Sequence, residues 1–90
     1  MKTKLTSEEY EEIENLMNYA LVAPNKKEAE IYIAKIRAFG FGLQGNVCNI
    51  LSELVGYIEA ASGRVKDNSH WEDCAKSSLY KLHSYGVERN

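Results

Sequence analysis

The sequence predicts an all-α protein, a small antiparallel bundle of four helices. Three observations carry this expectation. Helix-capping signatures stand at Thr6, Asn25 and Ser69, apolar residues recur at the helical period behind each of them, and no segment alternates apolar and polar residues as a half-buried strand does. With 90 residues the chain makes one domain, spanning residues 1–90. Its 44% hydrophobic and 27% charged residues are the composition of a chain that folds, not of a disordered one. A domain this small buries only about 60–65% of its unfolded surface, so tight packing or self-association must supply the remaining stability.

The first helix is expected over Ser7 to Val22. Thr6 and Glu9 have the reciprocal spacing of a capping box, Leu5 and Tyr10 occupy the staple positions, and Tyr10, Ile13, Leu16, Met17, Ala20 and Leu21 form one apolar face that Pro24 terminates. Asn25 and Glu28 repeat the signature and open a second helix over Lys26 to Phe39, with Ala29, Tyr32, Ile33, Ile36 and Phe39 on its inner face. The connection Ala23 to Asn25 is so short that these two helices must lie antiparallel as neighbours. A third helix is read over Leu43 to Ala61. After a loop from Ala61 to Asn68, the last helix runs from Ser69 to Tyr85, carries Trp71, Cys74, Ala75, Ser78, Leu79, Leu82 and Tyr85 inward, and ends at Gly86.

The segment Phe39-Gly40-Phe41-Gly42-Leu43-Gln44-Gly45 admits two architectures, because the apolar period continues through it: Ile33, Ile36, Gly40, Leu43, Val47, Ile50, Leu54, Ile58. One unbroken helix from Lys26 to Ala61 would give three helices, the central one long and dimerising. It would also align Ala34, Ala38, Gly42, Gly45, Asn49, Ser52, Gly56 and Ala60 as a stripe of small residues able to hold a second subunit. Three interior glycines cost such a helix roughly 2.5–3 kcal/mol relative to alanine, so a break is favoured, with Gly40 or Gly42 at a left-handed, helix-ending position.

The formal charge of −2 creates no field that draws the chain to nucleic acid or anionic lipid. Locally the charge is uneven: Glu8, Glu9, Glu11, Glu12 and Glu14 make the first helix acidic, and Lys26, Lys27, Lys35 and Arg37 make the second basic. Complementary solvated faces of a helix hairpin account for this. The sequence has neither the apolar core of a signal peptide near Met1 to Thr6 nor a run of the ~20 apolar residues that a membrane span needs, so a cytoplasmic location is expected. Cys48 and Cys74 fall on different helices without CxxC spacing and read as buried, reduced thiols.

The residues that could carry chemistry do not assemble into a catalytic or metal motif. His70 and Cys74 stand one helical turn apart beside Asp73, a two-ligand edge where a structural zinc needs four donors, and His83 lies on roughly the opposite face. Ser77 and Ser78 have no GxSxG context, and the glutamates of the first helix are expected to be solvated and ionised. No catalytic residue, metal site or cofactor is therefore assigned. Phe39-Gly40-Phe41-Gly42 sets flat apolar rings beside exposed backbone, a combination suited to anchoring a partner. Tyr10, Tyr32 and Tyr85 fit inward positions, and Tyr19, Tyr57 and Tyr80 lie nearer the surface.

The partner-binding residues read from the sequence are Phe39, Phe41, Gly42, Gly45, Lys26, Lys27, Arg37 and Tyr57. No family motif can be matched residue by residue. In general character the chain resembles the small accessory proteins encoded by phages and other mobile elements, a likeness of size and of missing catalytic chemistry. It implies a non-enzymatic binding protein that inhibits or modulates a macromolecular partner such as a host or defence enzyme, and that forms a homodimer or higher oligomer. An alternative is an oligomer holding a small charged ligand such as a nucleotide through Lys26, Lys27 or Arg37 with a tyrosine. A helix-turn-helix DNA-binding regulator comes third, since its recognition helix from Asn46 to Ala61 has no Lys or Arg and carries Glu53 and Glu59.

Overall fold

A computed structural model describes residues 2–62 and 69–87. It has four helices: α1 Ser7–Val22, α2 Lys26–Gly40, α3 Asn46–Ser62 and α4 Ser69–Gly86. The expected all-α bundle is what forms, and its radius of gyration of 12.4 Å is that of a compact globule of this length. From residue 63 on, the loop expected over Ala61 to Asn68 lies outside the described residues, and Ala61 and Ser62 close α3.

The first two caps form as their residue types require. The Thr6 side chain accepts from the Glu9 amide at 3.1 Å while the Glu9 carboxylate accepts from the Thr6 amide at 2.9 Å, so two of the orphan donors at the start of α1 are satisfied. Asn25 accepts from the Glu28 amide at 2.9 Å and starts α2 in the same way.

The helices pack as a rhombus. Both α1 and α3 touch all three other helices and lie against each other across the short diagonal; α2 and α4 occupy the far corners and do not meet among the described residues. The core is the shared inner faces, among them Ile13, Met17, Ile33, Ile36, Leu51, Leu54, Ile58 and Leu82. A helix at a far corner has two neighbours rather than three, so α2 keeps a broad outer face.

The glycine segment breaks the chain, which excludes the long central helix, but it breaks differently from the expectation. Helix α2 runs one residue further, to Gly40, and α3 starts at Asn46 instead of Leu43. The left-handed residue is Gly45, at φ +76°, and neither Gly40 nor Gly42 has a positive φ. The cause is the amino-terminal segment. Lys2 donates its amide to the Gly42 carbonyl at 3.1 Å and accepts from the Gln44 amide at 3.0 Å, so Leu43 is held extended and buried and the chain turns into α3 two residues later. The same segment donates the Leu5 amide to the Gly86 carbonyl at 2.6 Å, and the Leu5 side chain is fully buried. Residues 2–5 thus form a strap from the α2–α3 junction to the end of α4.

Helix α4 extends to Gly86, and this reverses the reading of Tyr85. Gly86, one turn beyond Leu82, takes the inner position against Val47, and the ring of Tyr85 is rotated outward and is 67% exposed. Neither thiol is fully buried: Cys48 and Cys74 are both half-buried and free.

Candidate functional site

The residues singled out from the sequence do not form one cluster. Lys26 and Lys27 are exposed at the start of α2, Phe41 is exposed and Phe39 half-buried at its end, Gly42 and Gly45 are exposed in the junction, and Tyr57 is half-buried on the far side of α3. Arg37 is paired with Glu59 of α3 and so is engaged within the fold. The glutamates of α1 and the lysines of α2 do not neutralise one another: the ion pairs among the described residues are Lys2–Glu9, Arg37–Glu59 and Lys81–Glu53. Antiparallel packing explains this for Lys26 and Lys27, which lie at the opposite end of α2 from Glu8 to Glu14, whereas Lys35 lines a depression with Glu12 and forms none of these ion pairs.

The surface that stands out is the outer face of α2. Ile31 is 55% exposed and Phe41 77% exposed, and Ala34 and Ala38 between them are exposed as well. Their spacing of three, four and three residues places all four on one stripe. Phe41 belongs to it because its backbone, at φ −66° and ψ −22°, continues the helical turn. Glu30 and Arg37 flank the stripe on one side and Glu28 and Lys35 on the other. Beside it, Glu12, Lys35, Ala38 and Phe39 line an open depression of about 350 Å³ at the α1–α2 seam.

Sequence reasoning singled out Phe39 and Phe41 and did not single out Ile31. A signal was present: Ile31 is the one large aliphatic residue of α2 outside the inner-face pattern, and it falls in heptad register with Ala34, Ala38 and Phe41. Of the expected stripe of small residues, only Ala34 and Ala38 stay on α2, because the junction separates them from Asn49, Ser52, Gly56 and Ala60 on α3.

A second surface is the groove of about 240 Å³ between α3 and α4, lined by Glu53, Tyr57, His70, Cys74, Ser77 and Lys81 among others. The Tyr57 hydroxyl donates to Glu53 at 3.3 Å, Lys81 sits 3.8 Å from the same carboxylate, and the Tyr57 ring stacks on Trp71 at 6.2 Å. The nearby Glu53 charge, and the hydrogen bond to it, hold the Tyr57 phenol above its ordinary range. His70 Nε2 and Cys74 Sγ approach to 3.9 Å, and no group of three or more metal-ligating side chains occurs among the described residues. With the ammonium of Lys81 set among the carboxylates of Glu53 and Asp73, the groove has no single sign of charge for an ionic ligand.

Geometry and packing thus define a four-helix, all-α domain with an uncovered apolar stripe at one corner. No helix among the described residues is long and apolar enough to cross a membrane. Comparison with protein-family models, with curated proteins and with solved structures finds no match to this chain.

Proposed function

We propose that the protein is a non-enzymatic binding protein that inhibits or modulates a macromolecular partner, of the accessory kind that phages and mobile elements encode. The observation that carries this reading is the stripe Ile31, Ala34, Ala38 and Phe41. Two large apolar side chains more than half exposed, in register with two alanines that let another backbone approach, are the composition of a helix-docking surface. Phe41 at the edge of the glycine junction supplies the aromatic anchor. The alternative of a small charged ligand has less support, since Arg37 is engaged by Glu59.

The test is affinity capture from the native host with the wild-type protein and with the double variant Ile31→Ser, Phe41→Ser. Both side chains are exposed, so the variant should melt within a few degrees of wild type. A partner retained by wild type and lost by the variant supports the proposal. Equal retention by the two removes the stripe from the reading.

A further inference from the structure

We infer that the outer face of α2 takes a second copy of this chain, with the two α2 helices side by side and parallel. The inference rests on the reading of that face as a docking surface and names its first occupant. The argument comes from charge and spacing. In a heptad register Ile31 and Ala38 occupy a positions and Ala34 and Phe41 d positions, so the flanking Glu30 is a g position and Lys35 an e position. In a parallel pair of helices each g residue meets the e residue five positions further along the other strand. Glu30 of each copy therefore meets Lys35 of the other, twice by symmetry. Both side chains are exposed, and neither belongs to the ion pairs formed within the described fold.

An antiparallel pair is disfavoured by the same residues. In the antiparallel register that keeps the whole stripe covered, Ile31 on Phe41, e meets e and g meets g, so Lys35 would face Lys35 and Arg37 would face Arg37. The parallel pair instead stacks like on like along the seam: Ile31 on Ile31, Phe41 on Phe41, with Ala34 and Ala38 letting the backbones close between them. Lys27, at the preceding d position, lies at the helix start where its ammonium can bend out to water.

The seam is short. Ile31 to Phe41 spans about 15 Å at ~1.5 Å per residue, and one helix pair of that length buries less than the ~1,200 Å² of a stable interface. The dimer is therefore reversible, with a Kd on the order of ten micromolar or weaker.

Sedimentation velocity of the purified full chain, from about 10 µM to about 1 mM, reads the equilibrium directly. The expected result is a monomer passing to a dimer across that range. Ala38→Arg, at an exposed position, should weaken it at least tenfold with the melting temperature unchanged. Glu30→Lys and Lys35→Glu should each weaken it severalfold, and an equimolar mixture of the two should associate more tightly than either alone, because both cross-pairs are then restored. A protein that stays monomeric, or a dimer indifferent to Ala38→Arg, overturns the inference. A dimer sensitive to Ala38→Arg whose two charge variants show no preference for each other overturns the parallel register. If the pure protein is monomeric and Ile31→Ser, Phe41→Ser still abolishes capture from the host, the docking surface stands and its occupant is a different chain. If neither association responds to the stripe, both readings fall.

Discussion

Single glycines carry opposite energetic signs in this fold, and the difference is set by what surrounds each one. A Cβ added at Gly86 would sit 2.6 Å from Val47 Cγ2 and 3.2 Å from Leu82 Cδ1, both in the packed interior. Gly86→Ala should therefore lower stability by about 1–3 kcal/mol, the usual cost of overpacking, as read by chemical denaturation. Gly56 lies in the middle of α3 with nothing within 4 Å of the added atom, so Gly56→Ala should raise stability by about 0.5–1 kcal/mol. Gly40 meets only Leu51 at an ordinary 3.6 Å and belongs to the same stabilising class; the strained position is Gly45.

Glu9 shows how one carboxylate serves two contacts. The bond from Lys2, with the Thr6 amide second, holds its carboxyl below the ordinary range. A carboxylate whose pKa is depressed on folding contributes stability that is fully present above its unfolded pKa and is lost as pH falls through the folded one. Acid titration of the melting temperature should accordingly fall less steeply below about pH 4.5 in Glu9→Gln than in wild type. An unchanged acid slope would show that the capping carboxylate is not linked to folding.

Among the elements, the strap is the one whose importance exceeds its length. Residues 2–5 make backbone bonds to both the α2–α3 junction and the end of α4, Lys4 Nζ donates to the Tyr85 carbonyl at 3.0 Å, and Leu5 is fully buried. Leu5→Ala should cost about 2–4 kcal/mol, as for other buried leucines, and a comparable loss in a chain lacking residues 1–5 would place the effect on the strap. Thr6→Ala should cost only about 1 kcal/mol, the worth of a cap. A Leu5→Ala loss no larger than the Thr6→Ala loss would show that the strap is not part of the cooperative fold.

At the scale of the whole molecule, the rhombic packing ranks the helices. Helix α3 carries the largest set of buried residues and meets every other helix, so its amides should exchange with solvent most slowly, while α2, with two neighbours and an uncovered face, should exchange faster. Hydrogen exchange by mass spectrometry decides it: α2 protected more strongly than α3 in dilute protein would contradict this ranking. Raising the protein concentration through the dimerisation range should then protect α2 selectively.

What the sequence alone determined is local. The starts at Thr6 and Asn25, the stop at Pro24, the inner faces of the helices apart from the end of α4 and the antiparallel α1–α2 hairpin follow from interactions among residues within about four positions or from a short loop, so the chain near each residue is sufficient to read them. Tertiary structure decided everything that joins distant residues. Lys2 holds Leu43 extended and moves the left-handed turn to Gly45; Gly86 takes the core position that periodicity had assigned to Tyr85; Arg37 is paired at the surface with Glu59 of α3. The exposure of Ile31, Ala34, Ala38 and Phe41 belongs to the same class. A helix's inner face is written in its period, but which of its other faces stays uncovered depends on how many neighbours pack around it, and that is settled only when the four helices close.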